Sequence, residues 1–272
     1  MAQPQATVRP SSLRVRVISA LVMAPVALLA VWAGGWPLAL FTALAAVLMS
    51  LEWSRLAAPK RDAAPAIMIA ALLSAILAAA LGAWGWALAL TVAAAGALAL
   101  AGLAERSWAW LGAGIFYAGL PCLALLWLRA SPAEGLMTVL WILALVWAVD
   151  TAAYFAGRAI GGPKLAPAIS PNKTWAGLGG GVAAALLVGL AAAVMTGARP
   201  IPLALVSAAL AIVEQAGDLM ESAIKRHFHV KDAGHLIPGH GGLLDRVDGL
   251  IATLVAVAAI TLAAGKGPLA WQ

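Results

Sequence analysis

The sequence predicts an all-α, polytopic integral membrane protein with about nine transmembrane helices. Of its 272 residues, 64% are hydrophobic and 10% are charged, whereas soluble proteins average about 45–50% apolar and about 25% charged residues. Apolar runs of roughly 20 residues, the length that crosses a hydrocarbon layer, follow one another along the chain. The runs lack period-two alternation, which favours helices over the strands of a barrel.

Hydropathy divides the chain into nine spans joined by short loops. The spans are Val17–Trp32, Trp36–Trp53, Ala63–Leu81, Trp84–Leu103, Trp108–Leu128, Leu136–Phe155, Thr174–Met195, Ile201–Ile224 and Gly249–Ala264. The first run is followed almost at once by a second, which favours a retained helix over a cleaved signal peptide. We expect about five helices in residues 1–135 and a catalytic transmembrane region in residues 136–272. Polar loops at 157–173 and 225–248 belong to this second region.

The charges in the loops predict the orientation in the membrane. When alternate loops are assigned to opposite sides, all but three of the 17 Lys and Arg residues fall on the side of the N-terminus. Cytoplasmic loops collect Lys and Arg, so we expect the N-terminus and both polar loops in the cytoplasm, at the plasma (inner) membrane if the source is bacterial. The positive charge of the chain is then explained by its orientation in the membrane, so no nucleic-acid partner is expected.

Seven of the eleven acidic residues lie from Asp150 onward, and four of these, Asp150, Glu214, Asp218 and Glu221, lie within or at the edge of apolar spans. A carboxylate near the bilayer centre costs at least about 2.5 kcal/mol on insertion scales, which makes each of them a functional candidate. The last three are spaced i, i+4, i+7 and therefore share one helix face. Like charges so close repel unless a cation joins them, and Mg²⁺ fits because it bridges carboxylates to phosphates. A structural ion pair is the alternative for each acid.

The segment from Lys225 to Leu250 adds groups suited to phosphate. It combines cations, glycines whose N–H groups can face an anion, and further carboxylates: Lys225, Arg226, Lys231, Gly239, Gly241, Gly242, Asp245, Arg246 and Asp248. Ser222 and Lys225 also extend the acidic helix face towards this segment. Carboxylates for a metal, cations for phosphate and a glycine-rich bend together indicate phosphoryl chemistry.

The loop from Arg158 to Lys173 also favours substrate binding over a purely topological role. Prolines prevent a helix there, while Arg158, Lys164 and Lys173 add cations. The four histidines, His227, His229, His235 and His240, leave a zinc site as an alternative. No cysteine lies nearby and many oxygens compete, so we expect His240, which stands between glycines, to donate to a phosphate instead.

Four segments between Asp150 and Asp248 carry motifs: DTAAYFAGR, SPNKTWAG, EQAGDLMES and a long C-terminal signature. The signature residues are Ser222, Ile224, Lys225, Arg226, Lys231, Asp232, Gly234, Ile237, Pro238, His240, Gly241, Gly242, Leu243, Asp245, Arg246, Val247 and Asp248. In these positions the chain resembles the phosphatidate cytidylyltransferase family, also called CDP-diacylglycerol synthases. The N-terminal half resembles that family only in hydropathy.

This resemblance implies that CTP and phosphatidate are converted to CDP-diacylglycerol and pyrophosphate by a Mg²⁺-dependent homodimer in the lipid bilayer; whether a second, monovalent cation shares the site is left open. The residues expected to be catalytic are Asp218, Lys225, Arg226, Asp245 and Asp248. Substrate binding is expected from Asp150, Lys173, Ser222, Lys231, His240, Gly241, Gly242 and Arg246. The expected metal ligands are Asp218 and Asp245, followed by Asp248, Asp150 and Glu214.

Two other classes of membrane protein agree less well with the sequence. A CDP-alcohol phosphotransferase should show Asp-Gly followed two residues later by Ala-Arg, whereas Leu-Ile-Ala-Thr follows Asp248 and Gly249. A cation-coupled transporter should have pseudo-symmetric halves, but here the polar residues crowd into the C-terminal half.

Overall fold

The computed structural model describes residues 13–234 and 241–271, with side chains described from residue 21 onward. The helices are α1 Leu13–Ala33, α2 Gly35–Ala57, α3 Ala64–Ala80, α4 Trp84–Ala101, α5 Arg106–Arg129, α6 Gly135–Ile160, α7 Trp175–Thr196, α8 Pro200–His227 and α9 Leu244–Ala264. Two short strands, β1 Lys164–Ala166 and β2 Ser170–Thr174, and a 3-10 turn, Pro268–Ala270, complete the described elements. The predicted all-α class is confirmed.

The helices have the length and composition of membrane spans. Among the described residues, seven helices, α2 and α4 to α9, are long and apolar enough to cross a bilayer. Two are shorter, namely the 17-residue α3 and the apolar part of α1, Leu21–Ala33. Large apolar side chains such as Trp86, Leu103 and Val194 are exposed on the outside of the bundle, as expected for a surface that faces lipid. The chain is thus a polytopic membrane protein, and the total of nine spans stays a prediction.

The helices pack as two groups that meet at α5. Helices α2 to α5 pack against one another, and α6 to α9 form the second group through the pairs α6–α7, α7–α8 and α8–α9. Helix α5 contacts both α6 and α9. Small residues allow close crossings: a Cβ atom added to Gly112 of α5 would lie 2.7 Å from the Ala95 oxygen of α4. The Ala-rich and Gly-rich runs are therefore packing surfaces.

Several helices continue beyond the apolar spans predicted for them, and three of these border the polar loops. Helix α6 ends at Ile160 rather than Phe155, α8 ends at His227, and α9 begins at Leu244 rather than Gly249. Hydropathy detects only the apolar part of a helix, whereas its backbone hydrogen bonds continue through the polar turns at the membrane surface. The residues that move from predicted loop to helix include Lys225, Arg226, Asp245, Arg246 and Asp248.

The loop predicted between α6 and α7 contains a β-hairpin. Its strands are antiparallel, with Lys164 opposite Thr174 and Ala166 opposite Ser170. Thr174 also begins α7, because its hydroxyl accepts a hydrogen bond of 3.0 Å from the Gly177 N–H, as an N-cap residue does. Strands of three and five residues are too short to show an alternating pattern, so the sequence did not reveal them. The hairpin fixes Lys173 at the start of α7.

Candidate active site

The site forms where α8 crosses α9, and two glycines make the crossing close. A Cβ atom added to Gly217 of α8 would lie 2.6 Å from Cβ of Ala252, and one added to Gly249 of α9 would lie 2.4 Å from Oε1 of Glu214. Larger residues would push the two helices apart. The acidic face of α8 therefore lies directly beside the first two turns of α9.

Lys225, in the last turn of α8, joins the two helices through buried ion pairs. Its Nζ atom lies 3.0 Å from Oε1 of Glu221 and 2.6 Å from Oδ1 of Asp245 on α9. The Tyr117 hydroxyl of α5 donates a hydrogen bond of 3.2 Å to the other oxygen of Glu221. Buried charges are tolerated when they are paired and hydrogen-bonded. Lys225 thus neutralises two carboxylates at the α8–α9 crossing.

Asp245 binds two separate positions in the connection between α8 and α9. Its carboxylate accepts hydrogen bonds of 3.0 Å from the N–H groups of Ala233 and Gly242. Gly241 has a φ of 83°, a left-handed conformation that glycine adopts without strain. Each oxygen of Asp245 thus accepts a hydrogen bond from a backbone N–H group, and Oδ1 also accepts one from Lys225.

Lys173, from the hairpin, forms a second ion pair on the face of α8. Its Nζ atom lies 2.6 Å from Oδ2 of Asp218 and donates to the side-chain oxygen of Gln215 at 2.9 Å. The Ser222 hydroxyl donates to the other oxygen of Asp218 at 3.3 Å, and the Gln215 amide donates to Glu214 at 2.8 Å. Gln215 was not among the predicted site residues. The hairpin therefore supplies a cation to the centre of the acidic face.

The remaining carboxylates surround these ion pairs. Asp150 of α6 lies beside Glu214, and the two carboxyl groups interact. On α9, Asp248 lies within electrostatic range of both Asp218 and Glu221. Six acidic side chains of α6, α8 and α9 thus lie around the crossing, and Lys173 and Lys225 form ion pairs with three of them. Such a cluster attracts further positive charge.

The structure gathers most of the predicted site residues at this crossing. Those brought together are Asp150, Lys173, Glu214, Asp218, Ser222, Lys225, Gly242, Asp245 and Asp248. Arg226, Lys231 and Arg246 are exposed at the same end, and the Arg226 guanidinium donates to the Val230 oxygen at 3.0 Å. His240 lies outside the described residues.

Metal coordination by several protein side chains is not preformed in the described part of the chain. Within residues 13–234 and 241–271, no three His, Cys, Asp or Glu side chains are close enough to hold one metal ion. The His227 ring instead packs on Trp110, with 4.9 Å between centroids. The zinc alternative therefore gains no support from His227 and His229, and the other two histidines lie outside the described residues.

Glu52 of α2 is a site residue that the sequence analysis missed. It is fully buried, and its two oxygens accept hydrogen bonds of 2.8 and 2.9 Å from the N–H groups of Leu243 and Leu244, where α9 begins. The signal was present, because Glu52 is an acid inside the apolar span Trp36–Trp53. The rule that identified the acids of α8 would have identified it too.

The chain is similar in sequence to known proteins along most of its length. The profile of the Cytidylyltransferase family matches residues 14–263. A phosphatidate cytidylyltransferase of Brucella suis is 42% identical over 260 residues, which cover 89% of this chain and 90% of that protein. The enzyme of that name from Pseudomonas aeruginosa is 37% identical over 278 residues, covering 94% and 99%. The similarity thus includes N-terminal helices that resembled the family only in hydropathy, and the chain belongs to the cytidylyltransferase family.

Proposed function

We propose that this protein is a phosphatidate cytidylyltransferase, which converts CTP and phosphatidate to CDP-diacylglycerol and pyrophosphate. The observation that carries the proposal is the cluster of carboxylates and lysines at the α8–α9 crossing, at one end of helices that span a membrane. A site in that place can meet the phosphate of a lipid and a nucleotide from the aqueous phase. The family relationship supports the same reaction.

In this reaction an oxygen of the phosphatidate phosphate attacks the α-phosphorus of CTP. The new P–O bond forms while the bond to the oxygen between the α- and β-phosphates breaks, and pyrophosphate leaves with that electron pair. A phosphate monoester has a second pKa of about 6 and is largely dianionic at pH 7. The nucleophile therefore needs no dedicated general base, and the protein's task is to position two anions and to stabilise charge.

Lys173 and Lys225 are proposed to bind phosphate oxygens. An ammonium group has three donors, and each of these lysines uses two in the contacts described above. The third donor of each is suited to a phosphate brought to the crossing. Exposed Arg226, Lys231 and Arg246 at the same end would attract the triphosphate, and Ser222 would help to orient it.

The donor set also fits Mg²⁺. Carboxylate oxygens are the hard ligands that Mg²⁺ prefers, and this ion commonly uses one or two carboxylates together with substrate phosphates. The Lys225 ammonium group already acts as a cation between two carboxylates, and that of Lys173 pairs with a third. We assign Asp218 and Asp248 as the first ligands. Both oxygens of Asp245 are bonded to backbone N–H groups as well as to Lys225, whereas the partners of Asp218 are the mobile side chains of Lys173 and Ser222. Asp245, Glu214 and Asp150 follow as ligands. Bound Mg²⁺ would neutralise charge on the phosphates, and a monovalent cation beside it is part of the proposal.

The orientation and assembly of the protein form the remaining parts of the proposal. In the predicted topology the site is on the side to which all but three of the Lys and Arg residues are assigned, so it would face the cytoplasm, where CTP is available. The relatives named above come from bacteria, which supports the inner membrane. A homodimer is proposed from the family resemblance, and light scattering of the purified protein would measure its mass.

The activity can be tested with purified protein, radiolabelled CTP and phosphatidate. We expect label in the chloroform-soluble product only when both substrates and Mg²⁺ are present. Asp218→Asn should abolish the transfer, while Asp62→Asn, which changes an exposed acid of the α2–α3 loop, should retain it. Absence of labelled lipid with the wild-type protein would refute the proposed function.

A further inference from the structure

Glu52 connects the N-terminal helices to the helix that carries two site carboxylates. Glu52 belongs to α2. It accepts hydrogen bonds from the N–H groups of Leu243 and Leu244, which lie at the start of α9. Its carboxylate has no exposed surface. Asp245 follows Leu244 directly in the sequence, and Asp248 lies one helical turn farther on. The place where α9 starts relative to α2 is therefore defined by the oxygens of Glu52.

The surroundings of Glu52 leave its side chain little freedom to move. A Cβ atom added to Gly234 would lie 2.9 Å from Oε1, and one added to Gly242 would lie 2.8 Å from Oε2. Both glycines belong to the connection between α8 and α9. Asp245 accepts hydrogen bonds from the N–H groups of Ala233, next to Gly234, and of Gly242 itself. Glu52 and Asp245 thus hold this connection from both sides.

The chemistry of a helix N-terminus explains why a buried acid is stable there. The first N–H groups of a helix have no partner within the helix and carry a partial positive charge. A carboxylate that accepts two of them forms charge-assisted hydrogen bonds, which offset the cost of removing the charge from water. A shorter or neutral side chain could not satisfy both N–H groups at these distances.

We propose that Glu52 is a positioning residue for cytidylyl transfer: it anchors the first turn of α9 to α2 so that Asp245 and Asp248 face α8. The inference rests on the proposed function. It gives the N-terminal helices a part in the reaction, since the geometry of the site depends on a side chain from outside the C-terminal helices. A residue that only stabilises the fold would leave the turnover of folded protein unchanged.

Two substitutions of Glu52 test this role. Glu52→Gln preserves the length of the side chain but turns one acceptor into an NH₂ group that faces an N–H donor. We expect kcat to fall by about 10- to 150-fold, the equivalent of one charge-assisted hydrogen bond. KM for both substrates should change less than about threefold, because the phosphate-binding cations remain. Glu52→Asp preserves the charge but reaches only one N–H group, so its kcat should lie between those of the wild type and Glu52→Gln.

Gly234→Ala displaces the same carboxylate without changing its charge. The added methyl group would meet Cγ, Cδ and Oε1 of Glu52 at 2.9 to 3.0 Å, so we expect kcat to fall as it does in Glu52→Asp. Gly179→Ala is the matched control, because a Cβ atom there meets nothing within 4 Å. This variant should have wild-type kcat and KM.

Turnover is measured with detergent-purified protein well below its melting temperature, and the folded fraction is determined for each variant by size-exclusion chromatography. If Glu52→Gln melts earlier but turns over at the wild-type rate per folded molecule, Glu52 is purely structural and the inference is overturned. Should Glu52→Gln fail to fold, wild-type kcat in both Glu52→Asp and Gly234→Ala would overturn it equally. Failure of the proposed function is seen separately, as absence of labelled lipid with wild-type protein.

Discussion

Replacement of Lys225 by Met should damage both stability and activity. The thioether side chain preserves much of the volume but removes the ammonium group that lies 2.6 Å from Asp245 and 3.0 Å from Glu221. Two carboxylates are then left close together without their cation. The hydrogen bond from Tyr117 to Glu221 cannot supply the missing charge, because a phenol is neutral.

The size of the effect follows from burial. The side chains of Lys225, Glu221 and Asp245 are exposed by only 11%, 3% and 8%, so solvent screens their charges weakly. Removal of one partner from a buried ion pair typically costs about 3–5 kcal/mol. At roughly 2–4 °C per kcal/mol for a chain of this size, the melting temperature should fall by about 6–20 °C. Activity should fall too, since Asp245 and its backbone donors would move.

The melting temperature can be followed in detergent by the fluorescence of the 12 tryptophans, and turnover by label transferred from CTP to lipid. The matched control is Lys60→Met, which removes an exposed ammonium group from the α2–α3 loop and should change neither quantity measurably. If Lys225→Met melts within about 2 °C of the wild type, less than the smallest loss expected above, the buried ion pairs do not stabilise the site and the argument is wrong.

Two further predictions concern the metal and the topology. Asp218→Glu preserves the charge but moves the carboxylate by one methylene group, so activity with Mg²⁺ should fall at least about tenfold. Mn²⁺, which is less demanding in coordination geometry, should restore part of the activity. Equal loss with both ions would show that Asp218 is not a metal ligand. In a Cys122→Ala background, Lys60→Cys should react with a membrane-impermeant maleimide only from the cytoplasmic side and Ala133→Cys only from outside. Labelling of Lys60→Cys in intact cells would show that the orientation is the opposite of the one predicted.

The fold class and the acidic face of α8 were predictable because both are local properties of the sequence. A run of apolar residues identifies a helix in a bilayer, and the spacing of Glu214, Asp218 and Glu221 places them on one face of it. The structure shows that face directed at α9 through the glycine crossing. Helix ends were predicted less well, since hydropathy stops where the polar turns of α8 and α9 begin.

The partners of these acids were not predictable, because they come from distant parts of the chain. Glu52 is 191 residues away from Leu243, whose N–H group it accepts, and Tyr117 is 104 residues away from Glu221. No pattern along one segment reports such a contact. Lys173 was predicted as a phosphate ligand, but its pairing with Asp218 depends on a hairpin that the sequence did not reveal.

The charges of the site explain why it is built from ion pairs rather than from free cations. The carboxylates at the crossing would repel one another if they stood alone, and Lys173 and Lys225 offset that repulsion through their ion pairs. The substrates of the proposed reaction are themselves anions, and their phosphates would add negative charge to an acidic cluster. Positive charge must therefore enter together with the nucleotide, which is the role assigned above to Mg²⁺. The same carboxylates that pair with lysine would then also hold the metal, while the third donor of each ammonium group would bind phosphate.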